Sequence, residues 1–138
     1  MAKSFSHSFR VRYAEVDPQA VVFNSRYLEY ADILVTEWFR KLDIGIAGED
    51  PVEFHVARAV VEYRRPIRAD ELITGHLLIA RIGNSSMTTR IELYGQGETG
   101  DLRAEIELVQ VHVDLASGTS QPLPAVIRSK VKEYLVDG

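Results

Sequence analysis

Between Ser6 and Ala14 the apolar side chains Phe9, Val11 and Tyr13 alternate with Arg10 and Arg12, a period of two that predicts a half-buried strand. The period then changes. Tyr27, Ala31, Leu34, Trp38 and Leu42 recur at helical spacing, and Leu28, Val35 and Phe39 widen the stripe. They predict a helix from Ser25 to Leu42, buried against a sheet and stopped near Gly45. Ile46 to Pro51, rich in Gly, Asp and Pro, reads as a loop. Val52 to Arg64 shows no strongly polar face before Glu62, the pattern of a central strand. Pro66 ends it, and Arg68-Ala69-Asp70 makes a turn.

A long strand from Glu71 to Ile82 sets Leu72, Thr74, Leu78, Ala80 and Ile82 against Ile73, Leu77 and Ile79. Gly83-Asn84-Ser85 turns the chain. Ser86 to Tyr94 then alternates Met87, Thr89, Ile91 and Leu93 with Thr88, Arg90 and Glu92, as a half-exposed strand does. From Leu102 to Leu115 the apolar parity switches between Leu108 and Val109. A β-bulge there, or burial of both faces in the second half, explains the switch. Ala116-Ser117-Gly118-Thr119 is a turn, and Ile127, Val131 and Tyr134-Leu135 mark a terminal helix. Four successive strands with short connections imply mostly antiparallel pairing. The expected fold class is α+β, an antiparallel sheet curled around one long central helix, with residues 1-138 forming one domain.

Composition narrows the function. Of 138 residues, 46% are hydrophobic and 26% charged, as in an ordinary folded domain, and no apolar run reaches the roughly 18 residues a membrane helix needs. The first residues carry no apolar core of a secretory signal, which leads to the expectation of a cytoplasmic protein without stable membrane insertion. Cysteine is absent, removing disulfides, thiolate catalysis and Cys-based zinc sites. A net charge of −4 argues against nucleic acid as a partner. Arg64-Arg65 and Arg68 form the densest basic cluster, either a solvated strand end or a local site for an anionic ligand. Gly95-Gln96-Gly97-Glu98-Thr99-Gly100 matches a dinucleotide-binding loop in its glycines, but strand-like residues follow where that loop requires a helix, so a hairpin is expected.

The candidate chemistry lies in Asp17-Pro18-Gln19-Ala20-Val21-Val22-Phe23-Asn24. Pro18 biases Asp17 towards an extended backbone. Asn24 and Ser25 are residue types that cap a helix start, whose free N–H groups and dipole favour developing negative charge. A carboxylate leading into a helix N-terminus is half of a hydrolytic site. His7, His55, His76 and His112 are dispersed, although adjacent strands would bring His55 and His76 together. No Gly-x-Ser-x-Gly elbow or His-x-x-x-His pair occurs, and neither a metal nor another cofactor is expected.

Asp17 with Val21-Val22-Phe23, then Tyr27-Leu28-Glu29-Tyr30 on a helix, resembles the hotdog-fold acyl-CoA thioesterases. Similar too are Tyr63-x-Arg65-Pro66-Ile67-Arg68, Asp70-Glu71-Leu72 and Gly83-x-Ser85-Ser86. The branch most resembled is the 4-hydroxybenzoyl-CoA thioesterase group with its relatives near the Tol-Pal system. The resemblance runs from about Phe9 to Leu115. It implies a homodimer or homotetramer with its site at the subunit interface, hydrolysing an acyl-CoA thioester to free acid and CoA. Asp17 is then catalytic, as nucleophile or as base for water. The N–H at or near Asn24 polarises the carbonyl, and Phe23 and Tyr27 contact the substrate. On residues alone, Tyr27 reads first as a core residue that also suits the wall of an acyl pocket, Phe23 equally suits pocket wall and hydrophobic packing, and Asn24 equally suits a capping side chain. The family often has glycine where Ala20 stands, which predicts a different loop geometry here. The competing expectation is a noncatalytic module binding acyl-CoA or acyl-carrier protein. The Asp-x-Asn-Pro-x-His arrangement of hotdog dehydratases is absent.

Overall fold

Alternation after Lys3 builds β1 (Phe5–Arg10), and a single 3-10 turn follows at Tyr13–Glu15. The computed structural model describes residues 3–45, 52–96 and 100–136. The helical stripe forms α1 (Arg26–Lys41), with Ser25 and Leu42 as its flanking caps. At 16 residues, about 24 Å, α1 is of moderate length and not the long helix expected. It ends through Asp43, whose backbone turns left-handed at φ 56°, before Gly45 is reached. Aspartate tolerates that region better than most residues with a Cβ. The expected loop from Ile46 to Pro51 lies outside the described residues.

Four further strands follow: β2 (Phe54–Tyr63), β3 (Leu72–Ile82), β4 (Ser86–Gly95) and β5 (Leu102–His112). A short helix, α2 (Ala125–Val131), leads into a 3-10 turn at Lys132–Tyr134. The sheet is antiparallel throughout, in the order β1-β3-β4-β5-β2. β4 pairs with the next strand, β5, as a hairpin, so among the described residues no helix follows Gly95, and residues 97–99 of the glycine-rich stretch lie outside the described range.

Two expectations for the sheet change. Among the described residues β2 is an edge strand, paired only with β5, and His55, Val56, Ala57, Arg58 and Ala59 are exposed. Apolar residues on both faces of a strand record what can be covered, not where the strand sits in the order. β5 carries no bulge at Leu108-Val109: Ala104, Ile106, Leu108 and Gln110 keep one buried parity, while Val109 and Val111 are half-buried opposite them, and its register shift against β4 falls at Arg103, between Leu102 and Ala104. The irregular register lies across the ladder, between Val56 and Arg58 of β2.

One face of the sheet meets α1. Leu34 and Trp38 are fully buried against a sheet layer that includes Ile73, Leu77, Ile91 and Ile106. Gly75 permits the close approach, because a Cβ there would stand 2.7 Å from Leu34 Cδ2. Burying this layer is the main favourable contribution to folding, at roughly 25 cal/mol per Å² of apolar surface.

Candidate active site

After the 3-10 turn the chain reverses tightly. Val16 bridges Val22, the Asp17 N–H donates to the Val21 carbonyl (2.8 Å), and the Ala20 N–H donates to the Asp17 carbonyl (2.8 Å). The Gln19 N–H donates to Asp17 Oδ1 at 2.8 Å, closing an Asx turn around the carboxylate. Ala20 sits at φ 65°, the left-handed backbone that glycine adopts freely, so a glycine-type turn is made here by alanine. The returning arm is tied to the segment after β2, where Val22 N–H donates to the Ile67 carbonyl (2.7 Å) and Val21 bridges Arg68.

That segment is itself anchored by Arg103. Its guanidinium makes a two-pronged bond to Asp101 (3.0 and 2.8 Å), donates to the Pro66 carbonyl (2.9 Å) and pairs with Glu71 (2.8 Å). Asp101 is held below the usual carboxylate range, mainly by the hydrogen bond from Arg103. Gly95 leaves the room required, since a Cβ there would collide with the Arg103 guanidinium and the Asp101 carboxylate.

The start of α1 lies just beyond. The Arg26 N–H donates to the Phe23 carbonyl (2.9 Å), and the Asn24 carbonyl accepts from Tyr63 Oη (2.9 Å). Neither candidate side chain caps the helix among the described residues. Ser25, the N-cap, is already in helical conformation (φ −70°, ψ −20°), whereas a capping side chain usually needs extended backbone. The N–H groups of Asn24 and Ser25 donate to no protein oxygen among the described residues.

An open pocket of about 240 Å³ adjoins this helix start, lined by Val21, Val22, Asn24, Tyr27, Tyr63, Arg64, Arg65 and Pro66. Tyr27 is 3% exposed, so it is both core and pocket wall, and its ring meets Tyr63 edge-on at 4.8 Å. Burial pushes the Tyr27 phenol up in pKa, opposed by a hydrogen bond from the Ile67 backbone. Of the predicted residues, Asn24 and Tyr27 share this pocket; Asp17 and Phe23 do not line it. Asp17 is half-buried on the neighbouring loop, and Phe23 is 50% exposed. A hollow of about 430 Å³ on the far side of the sheet is edged by Arg58, Glu62, Arg90, Glu105 and Glu107 and contains none of the candidates.

The basic cluster is largely partnered. Arg64 pairs with Glu105 (2.6 Å) and Glu62 (2.7 Å), and Arg65 with Asp101 (3.2 Å). His55 and His76 are kept apart, because β5 and β4 separate their strands. Among the described residues no group of three His, Asp or Glu side chains stands where it would hold a metal. None of the described helices is long and apolar enough to cross a membrane.

Two participants carry no site role in the sequence reading, although Tyr63 belongs to a motif named there. Tyr63 reaches the helix start from the end of β2, a contact spanning 39 positions. Glu15 is 6% exposed and accepts hydrogen bonds from the Arg12 N–H (2.9 Å), the Arg12 guanidinium (3.1 and 3.2 Å) and the Tyr30 hydroxyl (3.0 Å). Burial alone would raise the Glu15 pKa, but these donors outweigh it and hold the carboxyl below its ordinary value. Its only sequence sign is a carboxylate two residues before Asp17.

Comparison with known proteins places these features in a wider set. The family model described as the thioesterase-like superfamily matches residues 11–131. No curated protein sequence matches the chain. Among solved structures, a predicted thioesterase from Bacillus stearothermophilus superposes with a TM-score of 0.87 at 24% identity, covering 99% of each chain. A 1,4-dihydroxy-2-naphthoyl-CoA thioesterase from Synechocystis gives 0.84 at 16% identity, covering 94% of this chain and 96% of that one. A gentisyl-coenzyme A thioesterase gives 0.83 at 16% identity, covering 92% and 99%. At these identities the likeness is one of fold.

Proposed function

The chain belongs to the thioesterase-like superfamily and is a thioester hydrolase, and from that premise we propose that it cleaves acyl-CoA to the free acid and CoA. Within the superfamily the proposal sets it nearest the 4-hydroxybenzoyl-CoA thioesterase group and its Tol-Pal relatives, on Asp17, Tyr63-x-Arg65-Pro66 and Gly83-x-Ser85-Ser86. The sheet curls around α1 in the hotdog arrangement, residues 1-138 act as one domain, and the enzyme works in the cytoplasm.

The observation that carries the mechanism is the helix start, where the Asn24 and Ser25 N–H groups have no protein acceptor among the described residues beside a pocket walled by Tyr27. Such donors on the positive end of a helix suit the oxyanion formed when a thioester carbonyl is attacked. Asp17 supplies the attack in one of two ways. As nucleophile, its carboxylate oxygen bonds to the acyl carbon, CoA departs as thiolate and takes a proton, and water then opens the mixed anhydride. As base, it takes the proton of the water that attacks directly. The acyl group occupies the pocket beside Tyr27, with Phe23 at its approach. The structural neighbours that act on dihydroxynaphthoyl-CoA and gentisyl-CoA favour an aromatic acyl group.

Asp17 does not border the pocket of its own chain, which favours a site completed by a second copy. The exposed edge of β2 ends at Tyr63 in that pocket and offers the ladder along which copies pair into a dimer, or into a tetramer built as a dimer of dimers. The test is Asp17→Asn, followed by free-thiol release over aliphatic and aromatic acyl-CoAs. A loss of at least about tenfold with the fold intact is expected, and a smaller loss removes Asp17 from the centre of the reaction.

A further inference from the structure

Glu15 is the buried carboxylate that this mechanism leaves unused. Burying a carboxylate is costly unless donors surround it, and Glu15 has donors on both oxygens. Oε1 takes the Arg12 N–H at 2.9 Å and the Tyr30 hydroxyl at 3.0 Å; Oε2 takes the Arg12 guanidinium. Its main chain works as well: the Glu15 carbonyl accepts the Phe23 N–H at 3.1 Å. One residue therefore joins three things: the turn before Asp17, the far end of the Asp17 loop, and the second turn of α1.

Tyr30 makes that last link rigid. It is 1% exposed, its ring lies 4.7 Å from Phe9 and 6.1 Å from Tyr27, and Tyr27 walls the pocket. A shift of the Glu15–Tyr30 pair thus moves the acid-bearing loop and the pocket wall relative to one another. We propose that Glu15 is a positioning residue, fixing the Asp17 loop against the start of α1 through Tyr30 and Phe23. The inference rests on the thioester-hydrolysis reading in which Asp17 carries the attack. A misplacement of about 1 Å at a reacting group is enough to cost on the order of a hundredfold in rate.

The experiment compares the parent with Tyr30→Phe and Glu15→Gln, each alone and combined with Asp17→Asn, in acyl-CoA hydrolysis. Tyr30→Phe cuts only the tether to the helix and leaves the Arg12–Glu15 bonds, so it keeps the test open where Glu15→Gln folds poorly. The expected result is a kcat lowered by about tenfold or more, with KM within about threefold, in each single variant. In the Asp17→Asn background neither substitution lowers the residual rate further, because both act through Asp17. Losses that multiply with that of Asp17→Asn, or an unchanged kcat in both single variants, overturn the proposal. A parent without turnover on any acyl-CoA sinks the thioesterase reading instead. Positioning is then decided by amide hydrogen exchange at Val22 and Phe23: faster exchange in both variants supports it, and parental protection overturns it.

Discussion

Ala20 holds a left-handed backbone at the reversal of the Asp17 loop, with φ 65°. For a residue with a Cβ that conformation costs about 1–2 kcal/mol. In Ala20→Gly the strain is relieved but the unfolded chain gains freedom, so unfolding in urea should shift by less than about 1 kcal/mol with turnover kept. Ala20→Val places a β-branched side chain in the same region and should lose roughly 2 kcal/mol together with turnover, since the loop must open to accept it. A valine variant of parental stability and activity would remove strain from the account. Asp17 and Asn24 were legible as candidates because their signals are local, a proline beside an acid and capping residue types before an amphipathic run. Ser25 does not cap because its own backbone is already helical, and the Asn24 side chain makes no capping bond among the described residues. Glu15 was not singled out, since its spacing to Arg12 is that of an ordinary surface pair and the bond that ties it to α1 comes from a hydroxyl 15 positions away.

Among the elements, α1 was readable to within its caps, because a 3.6-residue stripe facing a sheet is strongly periodic. The consecutive hairpins β3-β4-β5 were readable for a similar reason, with turn residues at both joints. The position of β2 was not, because strand order depends on where the connection from Arg64 to Glu71 carries the chain. That connection crosses the end of the sheet under the grip of Arg103 and leaves β2 on the outside. Val56, 56% exposed on this edge, discriminates between a solvated edge and a covered one. In a lone chain Val56→Lys should change stability by no more than about 0.5 kcal/mol. With β2 edges paired, lysine there opposes association, as edge lysines commonly do. Sedimentation should then show a smaller species and thiol release should fall. Parental association and turnover in Val56→Lys place the interface elsewhere.

Across the whole molecule, pH acts on stability from both sides through identified groups. Glu15 and Asp101 are held below their ordinary values of 4.5 and 3.8, so their stabilisation is complete above those values and is lost as pH falls through the lower folded ones. Tyr30 is pushed well above its ordinary 10.0, first by burial and then by its bond to Glu15. Its contribution is complete below pH 10.0 and is lost as pH rises beyond it, because only the unfolded phenol ionises there. Denaturant midpoints measured against pH should show a plateau between these limits. The acid arm should be shallower in Glu15→Gln and the alkaline arm flatter in Tyr30→Phe; identical arms in parent and variants contradict the assignment. The open ladder of β2 carries a consequence of another kind. If copies pair along it, the catalytic unit obeys mass action, and specific activity per chain declines on dilution below the dissociation constant. The amount of protein in the assay then sets the rate per molecule, and a dilution series alone reveals it.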